Sequence, residues 1–158
     1  TAWLDSGLIP NPVAATYSKN LVNHEIGVND ATLAVSQPIE AYISSAEFDI
    51  EDGYKVGFIW RVLPDITFRG STSSNPSVVM TLKPMQNSGS GYNDPESLGG
   101  VNNASIARSA ILPIEQFTGQ INTRVRGRQM VMEVRSTDLD VQWQLGSPRI
   151  DIRPDGRR

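Results

Sequence analysis

Apolar residues recur at every second position in one short run after another along this chain, and most runs stop at glycine, proline, asparagine or aspartate. A period of two is the period of a strand, whose successive side chains point to opposite faces. "LDVQWQLG" puts Val141, Trp143 and Leu145 on one face and Gln142 and Gln144 on the other. "RIDIR" repeats the pattern with Ile150 and Ile152, and "VVMTL" (78–82) is a further β-rich run. Ten prolines and thirteen glycines divide these runs at intervals suited to a sandwich or barrel. No segment sustains a helical period with caps. The best helical candidate, "ASIARSAILPIEQF", is interrupted by Pro113 and reads as strand and turn. The expected fold is therefore all-β, an antiparallel β-sandwich or barrel-like domain with long loops.

The chain has 158 residues, enough for one domain that buries roughly 70% of its unfolded surface. Residues 40–158 read as the sandwich-like domain, and residues 1–39 as a strand-rich segment left from a preceding one. A chain that starts at Thr1 is expected to be a processed product or a piece of a longer polypeptide. There is no cysteine, which removes disulfides, thiolate nucleophiles and Cys-based zinc sites and leaves the redox compartment open. No apolar run is long enough to cross a bilayer.

Within the main domain, "EFDIEDGYKVGFIWRVL" carries a hairpin signal, two alternating runs joined at Asp52-Gly53. Its second arm is expected to place Tyr54, Val56, Phe58, Trp60 and Val62 on one face. Two stretches read as long loops: "RGSTSSNPS" (69–77) and "PMQNSGSGYNDPESLGGVNN" (84–103). Tyr92 is the one large side chain in the second, and it is the natural anchor for a partner contact.

Charge is unevenly distributed. The total is −3, yet residues 1–100 hold five basic and eleven acidic side chains, whereas 101–158 hold nine arginines, no lysine and six acids. Arginine forms planar, forked contacts, so an arginine-only set points to fixed pairing. "RVRGRQMVMEV" (124–134) concentrates the question: Arg124, Arg126 and Arg128 share a parity with Met130, Met132 and Val134. A bulge at Gly127-Arg128 resolves the conflict. It would turn Val125, Met130, Met132 and Val134 to the core, and Arg124, Arg126, Gln129, Glu133 and Arg135 outward. Acids interleave with these arginines, which favours ion pairs within or between subunits over a phosphate-gripping surface.

Catalytic and metal-binding signals are sparse. The sole histidine, His24 in "LVNHEIG", has no partner motif, and no nucleophile elbow, zinc-protease or phosphate-loop pattern occurs. The acid pairs Glu51-Asp52 and Asp138-x-Asp140 fall at turns and do not continue into a calcium loop. No cofactor is expected.

The segment "RVRGRQMVMEVRSTDLDVQWQLGSPRIDIRPDGRR", with its R-x-R-G-R-Q, W-x-L-G and terminal R-P-D-G-R-R patterns, resembles the closing part of the tail nozzle, or tubular-B, proteins of short-tailed bacteriophages. "DIEDGYKVGFIWRVLPDITFRGSTSSNPSVVMTLKP" is similar to an upstream part of the same family, so the likeness covers about residues 40–158. The "SGSGY" segment has surroundings that depart from the family pattern. The resemblance implies a non-enzymatic virion subunit, or part of a β-propeller-like tail protein. Its partners would be copies of itself in a ring around the DNA exit channel and other tail proteins, with room for transient, non-specific contact with double-stranded DNA. Arg124, Arg126 and Arg135 are then expected as face contacts, and Arg153, Arg157 and Arg158 as a docking terminus. A carbohydrate- or receptor-binding β-sandwich, using Tyr92 or Trp3 as a stacking platform, is the alternative.

Overall fold

The computed structural model describes residues 2–50, 52–92 and 108–156. Among these the regular structure is entirely β, in fifteen strands and several antiparallel sheets. The first five are β1 (Ala2–Leu4), β2 (Val13–Ala15), β3 (Leu21–Asn23), β4 (Asn29–Asp30) and β5 (Gln37–Pro38). They are followed by β6 (Ala41–Ser44), β7 (Phe48–Asp49), β8 (Gly57–Leu63), β9 (Ile66–Thr67) and β10 (Ser77–Met85). The last five are β11 (Ala110–Glu115), β12 (Ile121–Gly127), β13 (Gln129–Ser136), β14 (Gln144–Leu145) and β15 (Arg149–Pro154).

Two sheets face one another across the core. The larger runs β11-β10-β13-β6, with β7 also on β13; the smaller runs β12-β8-β15. Ile59, Val62 and Val125 of the smaller sheet pack with Val78, Met80, Leu82, Leu112, Ile114, Met130 and Val134 of the larger. Apolar residues of both sheets thus bury their inward faces against each other, the arrangement of a sandwich rather than a closed barrel. Met80, Leu82, Ile59, Val62, Val125 and Met130 are fully buried. Among the described residues, 2–39 contribute nothing to this core. They form a β1-β2-β3 meander and a β4-β5 pair.

At Gly127-Arg128 the chain does not bulge within one strand; it changes sheets, and the register shift of β12 against β8 falls earlier, between Asn122 and Val125. β12 belongs to the smaller sheet and β13 to the larger, with Arg128 between them. The Arg128 amide donates to the Met85 carbonyl at 2.8 Å, tying the crossing to the end of β10. A crossing reverses side-chain parity as a bulge does, so Val125, Met130 and Val134 do face the core and Arg124 and Arg126 face outward. A Cβ on Gly127 would lie 2.8 Å from the Met85 carbonyl oxygen and 3.1 Å from that of Gln129. Only glycine fits so close to two stretches of backbone.

The hairpin expected at Asp52-Gly53 is a turn between sheets. β7 pairs with β13, whereas β8 pairs with β12 and β15. The turn chemistry is nonetheless as the sequence suggests. The Asp52 carboxylate accepts from the Tyr54 and Lys55 amides at 3.0 Å each, and Gly53 has φ +70°. What the dipeptide leaves undetermined is which neighbour each arm joins.

A bulge does occur in β8. Opposite β15, Arg61 pairs with Asp151 and Ile59 with the very next residue, Ile152, so Trp60 is the extra one. Ile59 and Val62 therefore both face the core, and Trp60 is turned outward rather than aligned with Val62. Tyr54, placed by the alternation on the same face, is exposed.

In "LDVQWQLG" the expected faces hold, with Val141, Trp143 and Leu145 packed against the core, but only Gln144–Leu145 is a strand. Ser71 accounts for part of the rest. Its hydroxyl accepts from the Gln142 amide at 2.8 Å and donates to the Gln142 carbonyl at 2.7 Å. A side chain thus replaces a strand partner for that residue.

Candidate interaction faces

The arginines singled out by the sequence do not form one patch. Arg124 and Arg126 on β12 and Arg153 on β15 lie on the outward face of the smaller sheet, the two strands flanking β8. Arg135 lies on the outward face of the larger sheet, across the core from them. Arg157 and Arg158 lie outside the described residues.

On the smaller sheet most of the guanidiniums are fixed. The bulge presents the Trp60 ring outward, and Arg61 and Arg153 stack on it with their guanidinium carbons 4.6 Å and 4.8 Å from the ring centre. Arg61 is also paired with Asp151 on β15. Arg126 Nε lies 2.6 Å from an Asp155 carboxylate oxygen and donates from Nη2 to the Asp155 carbonyl at 3.4 Å. Arg124 is exposed and has no ion-pair partner among the described residues. Sequence reasoning missed Trp60 as the centre of this face because strict alternation put it on one face with Val62, which is buried.

On the larger sheet the outward face carries a chain of alternating charges. Lys83 Nζ is 3.0 Å from Glu133 Oε2 across β10 and β13, and both side chains are almost wholly buried, at 2% and 8% exposure. Arg135 Nε donates to the other Glu133 oxygen at 3.1 Å, and Arg135 also pairs with Glu40. Tyr42 lies under the Arg135 guanidinium at 5.1 Å. Tyr92, expected as a partner anchor, stands with its ring centre 5.7 Å from Lys83 Nζ. The clue in the sequence was a lysine inside the apolar run "VVMTLKPM", whose counter-charge must come from the paired strand.

The N-terminal meander holds two exposed aromatics, Trp3 and Tyr17, and the Trp3 ring lies 4.7 Å from the His24 ring, tilted by 54°. Ala14 sits opposite Trp3 in the register, and its small side chain leaves a shallow apolar cup. Among the described residues no group of three or more His, Asp or Glu could hold a metal ion, and no helix is long and apolar enough to cross a membrane.

Compared with models of protein families and with curated protein sequences, the chain matches none.

Proposed function

We propose that this chain is a non-enzymatic structural subunit that works by assembling with copies of itself and neighbouring proteins, as the resemblance to tail nozzle proteins implies for a phage virion. The observation that carries the reading is the outward face of the smaller sheet. Arg126 and Arg153 are held in place by Asp155 and Trp60, and Arg124, exposed on the same strand as Arg126, has no ion-pair partner among the described residues. Guanidiniums fixed before contact lose little entropy on binding, which suits a repeated protein–protein contact. Among the described residues, their strands β12 and β15 are the edges of a three-stranded sheet. A neighbour could extend that sheet or lie across it. Ring formation around a DNA channel, and localisation in the virion, belong to the same proposal.

Light scattering on the purified chain over a range of concentrations, with and without Arg126→Ala, tests it. The expected result is concentration-dependent association that the substitution weakens while the circular dichroism spectrum stays unchanged. A protein that remains monomeric throughout, or turns over a substrate, would overturn the reading.

A further inference from the structure

Three segments far apart in sequence meet around a cleft of about 520 Å³: residues 26–36, 70–72 and 140–142. We infer that this cleft is a binding site for a neutral saccharide, an inference independent of the assembly role. Its central group is Asp140, a non-glycine residue with φ +64° that is tied down on every side. Asn29 donates from its side-chain nitrogen to one Asp140 carboxylate oxygen at 2.7 Å and accepts the Asp140 amide at 2.8 Å. The Asp140 carbonyl accepts from the Thr72 and Ser73 amides at 3.0 and 3.1 Å. Asp140 is one of four non-glycine residues with positive φ among the described residues, and its four hydrogen bonds fix it in that conformation. The result is a carboxylate fixed in orientation with its second oxygen uncommitted.

Around it stand polar groups without side-chain hydrogen bonds among the described residues: the Gln142 amide and the hydroxyls of Ser36 and Thr72. The Gln142 amide lies directly over Gly70, where a Cβ would come within 2.5 Å of its oxygen. A sugar hydroxyl both donates and accepts. It can give its proton to the Asp140 carboxylate while taking one from the Gln142 amide, and the neighbouring hydroxyl can do the same with Thr72 or Ser36. Ile26 and Val28 offer apolar surface to the C–H faces of the ring. No lysine or arginine lines the cleft and one carboxylate does, which disfavours phosphorylated or acidic ligands. The volume falls within the range of small-ligand clefts.

The test is titration of the full chain with glucose, galactose, mannose and N-acetylglucosamine, followed by amide NMR shifts, with calcium chloride as a separate arm. One or more sugars should bind with a Kd of about 1 mM, shifting the amides of Gly27, Gly70 and Thr72. Gln142→Ala and Thr72→Val should each weaken binding about 5-fold, the loss of one hydrogen bond, with the melting temperature unchanged. Both substitutions leave the Asn29–Asp140 tie intact, so a folded variant is assured of a readout. Absence of any saturable shift with all four sugars would overturn the proposal. So would binding abolished by Trp3→Ala but untouched at Gln142, which would move the site to the meander, or shifts produced by calcium alone.

Discussion

Lys83 and Glu133 face each other across neighbouring strands of the larger sheet, an ion pair at 3.0 Å in which neither side chain keeps appreciable contact with water. The pair lies on the sheet face turned away from the apolar core, with Arg135 as the second partner of the same carboxylate. Burial of two charges is repaid only by mutual attraction and further hydrogen bonds, so the pair matters most when half of it is missing. Glu133→Leu should therefore cost about 3–5 kcal/mol, because it removes the carboxylate that the buried Lys83 ammonium and Arg135 share. Adding Lys83→Met should recover most of that loss. Urea denaturation of the wild type, both single variants and the double variant measures the coupling; additive losses would mean that the two charges act separately.

Trp143 packs against the core but is only half-buried. Trp143→Ala should cost about 2 kcal/mol, less than the 3–5 kcal/mol of a fully enclosed ring, leaving a folded protein. Ile59, fully buried at the β8 bulge, should lose about 3 kcal/mol on truncation to alanine. Thermal melts that rank the two in the opposite order would contradict this account of the core.

Gly127→Ala would set a methyl group against two backbone carbonyls, neither of which can rotate away as a side chain could. A loss of roughly 2 kcal/mol is expected, the usual size for overpacking. The measurement is the denaturation midpoint beside that of Gly119→Ala, a position with nothing within 4 Å of the added carbon.

The Asp52 carboxylate is held below the ordinary value of 3.8, chiefly by the hydrogen bond from the Lys55 amide; desolvation opposes this, and the Tyr54 amide and the Lys55 charge add to the lowering. A depressed folded-state pKa means that the unfolded chain takes up the proton first. The contribution to stability is present above pH 3.8 and is lost as pH falls through the folded-state value. Asp52→Asn should accordingly be less stable than the wild type at pH 6 and indistinguishable from it near pH 2. A gap that persists at low pH would assign the effect to shape instead of charge.

The fold class was legible in the sequence because period-two alternation and turn residues are local signals. The all-β reading, the inward set Val125, Met130 and Val134, and the inward Ile150 and Ile152 follow from them. What alternation cannot encode is the partner of each strand. Asp52-Gly53 has the residues of a hairpin turn, yet its arms join different sheets, because pairing is decided by which apolar faces must be covered. Trp60 was misplaced for a related reason. One inserted residue flips a face, and nothing local in "GFIWRVL" marks it. On the candidate faces, the arginines were visible as a set but their division between opposite sides was not, since that depends on the chain crossing at Arg128. The Asn29–Asp140 tie spans 111 positions and leaves no periodic trace.

The order in which the two sheets take their strands has a consequence for the molecule as a whole. Going along the chain, the larger sheet receives β6 and β7, the smaller β8, the larger β10 and β11, the smaller β12, the larger β13 and the smaller β15. No single cut separates one layer from the other, so neither half can be excised as a peptide that carries a complete sheet. Each layer must wait for distant parts of the polypeptide to arrive, which makes for slow acquisition of structure, and no cut between β6 and β15 leaves a fragment that carries both layers complete.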